Sequence, residues 1–347
     1  MSKLKLLIFI VLILAVLAAG IGYFTFDLDN FLYSHAKREI QKDITDNLQG
    51  DGIEILFAGT GAPRFSEKRG QSCLGVIAAG KFMLFDSGQG CLDRLNKMEA
   101  PVTKISHIFL THLHSDHMSG LGEVINNTWV QGRINPLEIY GPPGTIEVID
   151  GFNQVYKEDI ADRIARRGSD DMNIDLAYGV PHIVTVTDNE AVIAYEDNGL
   201  IIKAFRVDHP EWQYSYGYRI KYAGRLVVIS GDTRFTQQMI RHGKGADMLI
   251  HEAYSRRMLE ALKKAMVAAN HHVSPAALDY IMETHTSTLE AATVASETGA
   301  DQLVLTHIIP PLENWIAEKI FLIGIDELYD GDVILAEDGM RLYLAKN

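Results

Sequence analysis

The segment Thr111-His112-Leu113-His114-Ser115-Asp116-His117 constrains this chain more than any other. It sets four metal-competent side chains within six consecutive positions, His112 to His117, directly after the apolar run Ile105 to Leu110. Such a run reads as a buried strand, and alternate residues of an extended chain point the same way. His112 and His114 therefore share one ion, while Asp116 and His117 fall where the chain must turn and face a second. Imidazole mixed with carboxylate suits zinc, and to a lesser degree manganese or iron. The bland alternative is a polar loop that happens to be rich in histidine, and spacing this tight at a strand end argues against it. A fold that uses the motif must bring a strand end, a turn and further ligands from distant segments to a single edge.

Other apolar runs in the chain stop in the same manner. Phe82-Met83-Leu84-Phe85 ends at Asp86, Leu226 to Ile229 leads to Ser230-Gly231-Asp232-Thr233, Met248-Leu249-Ile250 to His251-Glu252, and Leu303-Val304-Leu305-Thr306 to His307. Short β-rich runs with polar groups at their C-terminal ends describe a sheet with an active-site edge. Helices alternate with them. Ser287 and Glu290 form a capping box before Leu289 to Thr298, Gly299 marks the stop, and Ser274-Pro275 opens another helix. Gly224 is the expected turn of a hairpin over Tyr216 to Ile229.

The N-terminus reads as a membrane signal. Lys3 and Lys5 precede an uncharged run from Leu6 to Phe26, which as a helix spans roughly 30 Å, about a bilayer's hydrocarbon core. Signal-peptidase sites exist near Ala18 and Gly20, but the run continues past them to Tyr23, Phe24 and Phe26. The organisation expected is a membrane anchor or signal segment over 1–26, a polar helical stalk over 27–51 and a single hydrolase domain over 52–347. The lysines at the short end place the domain outside the cytoplasmic membrane, or secreted if the segment is cleaved. At 347 residues, 47% hydrophobic and 22% charged, the body is ordinary globular material. The formal charge of −13 and the lack of a basic patch count against a nucleic-acid partner. Cys73 and Cys91 are the two cysteines, enough for one bridge in an oxidising compartment and no disulfide framework.

Taken together the motifs resemble the metallo-β-lactamase superfamily, and within it the branch of ribonuclease Z and the zinc-dependent arylsulfatases. The resemblance runs from Ile53 to the C-terminus. It rests on Gly59-Thr60-Gly61-Ala62-Pro63, Phe85-Asp86-Ser87-Gly88, the histidine motif, Tyr216-Gly217-Tyr218-Arg219, Ser230-Gly231-Asp232-Thr233, His251-Glu252-Ala253, His285-Thr286-Ser287-Thr288 and Leu305-Thr306-His307. It implies an α/β fold, a four-layer αββα sandwich with its metals at one edge of two sheets.

The same resemblance implies the roles. One Zn2+ is held by His112, His114 and His209, and the other by Asp116, His117 and His307, with Asp232 bridging. A hydroxide shared by two ions attacks the ester, oriented by Asp116, and His285 protonates the leaving oxygen. Asp86, His251 and Glu252 support the ligands from behind, fixing histidine tautomers, although a purely structural place for His251 stays open. His271-His272 are read as a solvated loop near the mouth of the site. Trp212, Tyr214 and Tyr216 alternate as along a strand, with core packing as their default role and a stacking wall for an aromatic leaving group as the alternative.

Ribonuclease Z carries a long basic tRNA-gripping arm where this chain has little more than one hairpin between His209 and Asp232. The expected function is accordingly a dinuclear zinc hydrolase of a small anionic ester, phosphodiester or aryl sulfate, with no nucleic acid as partner. Ribonuclease Z-type tRNA 3′ processing and a non-catalytic metal-binding protein of the same fold are the alternatives. The longer stretch Pro143 to Asp208 is open to use as a lid or as the contact of a homo-oligomer.

Overall fold

In the computed structural model the description covers residues 3–45, 48, 50–187, 190–270 and 274–347, with side chains at 3–7, 9, 20–27 and 39–45 outside it. The chain divides into two compact units, Met1–Asn47 and Leu48–Asn347. The first is one helix, α1 (Lys3–Thr45), which runs without a break through both the expected anchor and most of the expected stalk. Among the described residues no helix is long and apolar enough to cross a membrane. The membrane-spanning expectation for 1–26 thus finds no support here, and it falls in part on side chains outside the description. His271 and His272 also lie outside the described residues.

Among its described residues the second unit holds fourteen strands in two sheets of seven. The first six strands are β1 (Ile53–Gly59), β2 (Cys73–Ala78), β3 (Lys81–Phe85), β4 (Ile105–Phe109), β5 (Leu137–Gly141) and β6 (Gly179–Ile183). The chain then crosses to the other sheet with β7 (Val192–Asp197), β8 (Leu200–Arg206), β9 (Tyr216–Tyr222), β10 (Arg225–Ile229), β11 (Met248–Tyr254), β12 (Gln302–Ile309) and β13 (Asp332–Leu335). The last strand, β14 (Arg341–Leu344), returns to pair with β1, so the sheets run β14-β1-β2-β3-β4-β5-β6 and β13-β12-β11-β10-β9-β8-β7. The helices between them are α2 (Cys91–Lys97), α3 (Ser115–Met118), α4 (Leu121–Val130), α5 (Thr145–Arg167), α6 (Gln237–Gly243), α7 (Arg256–Ala268), α8 (Ala276–Thr284), α9 (Thr288–Thr298) and α10 (Trp315–Phe321).

Period-two alternation sorts the strand residues into layers. Ile53, Ile55 and Phe57 of β1 enter the core between the sheets with Phe109, Tyr218, Val227 and Ile250, while Leu56 and Ala58 face the layer of Leu92, Leu95, Leu121 and Ile149. On the far side Leu249, Leu303 and Leu305 pack against Ala291, Ala292 and Ala295 of α9. The result is the expected four-layer αββα sandwich.

In each sheet three neighbouring pairs are parallel, β3-β4-β5-β6 and β10-β11-β12-β13. Their C-terminal ends meet at one edge, where the backbone of Tyr216 donates to Thr111 (3.0 Å) and that of Ile308 to Thr60 (2.9 Å). These bonds tie the two sheets together at the edge that carries the histidine motif. The Pro143 to Asp208 stretch, open to use as a lid or an oligomer contact, makes α5, the edge strand β6 and the crossover into β7 and β8. Its charges pair along one helix face, Asp159 with Arg163 and Asp162 with Arg166. Cys73 and Cys91 form a disulfide from the start of β2 to the start of α2, with Cα atoms 5.6 Å apart.

Candidate metal centre

Each ligand-type side chain reaches the edge through a local device. His112 and His114 follow β4 on an extended loop, and Asp116 and His117 sit in the four-residue turn of helix α3. Asp232 follows β10 through Gly231, whose φ is +61° and whose missing Cβ leaves room for Tyr216 O, which would lie 2.5 Å from it. His209 lies in the loop after β8, its Nδ1 donating to Thr284 O at 3.2 Å so that Nε2 faces inward. His307 is the extra residue of a β-bulge: Glu252 pairs with Thr306 and Ala253 with Ile308, and His307 between them has φ +47°. The bulge turns its ring to the site without ending the strand.

Among the described residues three groups of ligand-type side chains lie close enough to hold an ion; Glu252, His285 and His307 form the smallest, and two larger donor sets share Asp232. His112, His114, His209 and Asp232 form one, Asp116, His117, Asp232 and His307 the other, each with ligand atoms within 4.8 Å of one another. Asp232 belongs to both. Its Oδ2 lies 3.3 Å from His117 Nε2, 3.4 Å from His307 Nε2 and 3.9 Å from His112 Nε2. Asp116 Oδ2 lies 3.2 Å from His307 Nε2 and 3.5 Å from His117 Nε2. Ligands about 2.1 Å from a tetrahedral ion stand roughly 3.4 Å apart, so the second set has the spacing of a zinc shell. In the first set His209 Nε2 is 3.3 Å from His114 Nδ1, and His112 Nε2 draws closer to it at 2.8 Å. His117 Nε2 and Asp232 Oδ1 are buried with no hydrogen-bond partner among the described residues. Unpaired buried polar atoms are costly, and a cation between the two sets would satisfy both.

The electrostatics agree with such a centre. Burial pushes His112 well below the usual histidine value and His114 to about 4, so both rings are neutral donors at pH 7. Burial works against the charge on Asp232, but the His117 and His307 rings outweigh it and hold its carboxyl well below the carboxylate range. His117 is desolvated too, yet Asp232, Asp86 and Asp116 raise it. Such clustering of opposed groups without water is characteristic of functional sites.

Behind the donors, Asp86 accepts from His117 Nδ1 at 2.7 Å and from the Thr111 backbone at 2.8 Å, which fixes the ring that points Nε2 into the site. Glu252 serves a different histidine from the expected ones. Its carboxylate lies 2.8 Å from Nδ1 of His285 and accepts from the Thr233 backbone at 2.6 Å, and burial beside Asp232 pushes its pKa well up. His285 caps the end of α8, stacks on His307 and lies beside the donor sets. His251 is next to Glu252 on β11 and so faces the opposite way. It joins none of the donor groups among the described residues, its Nδ1 donating to Glu252 O at 2.8 Å.

Trp212 is a further contributor. The expected strand from Trp212 begins only at Tyr216; Trp212 stands in the loop before it, its ring 4.4 Å from that of His114 in a T-shaped contact. The signal available was its place three residues after His209. Another unforeseen feature is a cavity of about 420 Å³ beside the donors, which His114, Asp116, His209, Asp232 and His285 border on one side. Its other walls are Leu259 and Met266 of α7, Leu278 and Ile281 of α8, and Ile309 after the bulge. Residues 258, 259, 262 and 266 of α7 are apolar at helical spacing.

Known proteins share this plan. The family model described as anti-Pycsar protein Apyc1 matches residues 53–273. Ribonuclease Z of Mycolicibacterium gilvum is 32% identical over 264 residues, 75% of this chain and 86% of that protein. Ribonuclease Z of Mycobacterium bovis is 31% identical over 273 residues, 76% of this chain and 91% of its own. Among solved structures, human tRNase Z, short form, superposes with a TM-score of 0.60 at 26% identity, covering 83% of this chain and 98% of that one. The metallo-β-lactamase fold protein YhfI of Bacillus subtilis, at 18% identity and TM-score 0.58, shares the fold over 84% of this chain and 100% of its own. The chain belongs to the metallo-β-lactamase superfamily as a ribonuclease Z-like metal-dependent hydrolase, and to the family described as anti-Pycsar protein Apyc1.

Proposed function

We propose that this protein hydrolyses phosphodiester bonds with a pair of divalent metal ions, zinc foremost. One observation carries the reading: the two donor sets meet on the single carboxylate of Asp232. When bound, paired ions in such a frame supply charge neutralisation for phosphoryl oxygens and acidify a water molecule. His112, His114 and His209 would hold one ion, and Asp116, His117 and His307 the other. Glu252 holds His285 by Nδ1, which leaves Nε2 for the leaving oxygen. Burial lowers the His285 pKa while it raises that of Glu252, so Glu252 can hold the proton that faces Nδ1 while Nε2 carries its own. The Nε2–H proton goes to the leaving oxygen and the Glu252 proton passes to Nδ1. Both side chains are largely shielded from water, which strengthens this exchange.

The relatives favour RNA as the substrate, which reverses the order in which the sequence ranks RNA and a small ester. A small phosphodiester is the second reading. It is supported by the connection between His209 and Asp232, a short loop and the β9-β10 hairpin with no room for a long arm. The Cys73–Cys91 bridge supports a working place in an oxidising compartment. The test is a comparison of zinc-loaded protein on a 3′-extended tRNA, an aryl phosphodiester and the matching aryl sulfate, with a chelated control. Chelator-sensitive cleavage of RNA supports the first reading, and cleavage of the aryl diester alone the second. Preference for the sulfate overturns both.

A further inference from the structure

The cavity beside the donor sets differs from the site it adjoins. Its inner border is polar, supplied by the donors themselves, and almost everything beyond is hydrocarbon. Leu259, Met266 and Leu278 are nearly inaccessible and belong to one apolar cluster with Ile309, against which Ile281 packs. Among the described residues, outside the donors and His285, the lining carries polar side-chain atoms at three positions, Arg64, Ser115 and Tyr280. Arg64 is exposed, and Tyr280 is 42% exposed. Among the described residues the deep wall therefore offers no side-chain partner to a hydrogen-bonding group, and a polar base edge placed there would lose its water for little in return. A chamber of about 420 Å³ is larger than one aromatic ring needs and falls within the size range of small-molecule sites.

Resting on the second reading above, a small phosphodiester, we propose that this chamber binds an apolar ester group, aryl or alkyl, attached to the phosphorus under attack. The substrate class is then a phosphodiester with a sizeable hydrophobic substituent, and α7 with α8 is the element that selects it. The position follows from contiguity: Asp116, Asp232 and His285 border the chamber, so a group bound there is one ester bond from the reacting centre. Selectivity follows from desolvation, since each methylene taken out of water improves binding roughly fourfold.

The experiment is calorimetric titration of the full-length, zinc-loaded protein with methylphosphonate, phenylphosphonate and hexylphosphonate, which share one head group for the metals. The expected result is binding at least thirtyfold tighter for phenyl or hexyl than for methyl. The better of the two arms tells whether an aryl or an alkyl group is the natural occupant. In Ile281→Asn the ratio should fall below about fivefold with metal content retained, and Leu278→Ala serves the same purpose should that variant fail to fold. Three equal affinities, or a ratio untouched in both variants, overturn the subsite. That failure is distinct from failure of the underlying reading, which shows as no hydrolysis of the aryl phosphodiester, with or without cleavage of RNA, whatever the phosphonate affinities.

Discussion

His285 and Glu252 form the pair on which the proposed proton transfer depends. Glu252 is buried beside Asp232, a position that disfavours a second full negative charge, and His285 Nδ1 stands 2.8 Å from it. Replacing His285 by Ala removes the donor without touching either donor set that shares Asp232. The variant should therefore keep its metal while losing about 10²- to 10⁴-fold in kcat, with the larger losses for poorer leaving groups. Rates measured across a series of aryl diesters check this; an equal loss for every leaving group would reject His285 as the acid. Asp86 differs in kind, because its bond runs to His117, a member of a donor set. Its loss should show first in metal affinity.

At the scale of single elements, β11 combines two histidine-carboxylate neighbours with opposite fates. Glu252 faces the site, and His251 faces the helix side, fully buried and held neutral by burial with its pKa lowered to about 4. Because the unfolded chain takes up this proton near 6.5, the titration of His251 costs the fold nothing above that pH. Stability is lost as pH falls from 6.5 toward 4, by roughly 3 kcal/mol in all. Urea denaturation between pH 7 and pH 4.5 should show a steeper decline for wild type than for His251→Asn, and parallel curves would contradict the assignment.

Elements with local signals were readable in advance. The capping box of Ser287 and Glu290 and the left-handed Gly299 bound α9 as their residue types require, and Ala223 and Gly224, both at positive φ, make the β9-β10 turn. The β12 bulge was hidden, since it depends on register with β11 and not on the residues around His307. The partner of Glu252 was hidden for the same reason, and so was Trp212's contact with His114. Edge strand β6 shows no continuous apolar run because it contains Pro181, while β7 is apolar from Val192 to Tyr195 but leads to no ligand-type residue of the site.

Across the whole molecule, the site is assembled at the meeting edge of two sheets. Every donor follows or interrupts a strand of the Leu48–Asn347 unit, and the described residues that line the cavity beside them belong to that unit. Removal of Met1–Asn47 should thus leave a folded domain with its full metal content and with kcat/KM within about threefold of the intact chain. Size-exclusion chromatography and initial rates test this, and an unfolded or inactive domain would mean that α1 takes part in folding or assembly. The sandwich and most of the donor set could be read from strand ends and histidine spacing. The apolar chamber could not, because α7, α8 and the residues after β12 converge only in three dimensions.

The most direct measurement of the central claim is metal content beside phosphodiesterase activity, for the wild type and for Asp232→Ala. Two zinc ions per chain and chelator-sensitive turnover are expected of the wild type, with loss of bound metal and of at least 10³-fold in activity in the variant. Wild-type metal content and turnover in Asp232→Ala, or full activity of the wild type after chelation, would contradict a paired metal centre bridged by this carboxylate.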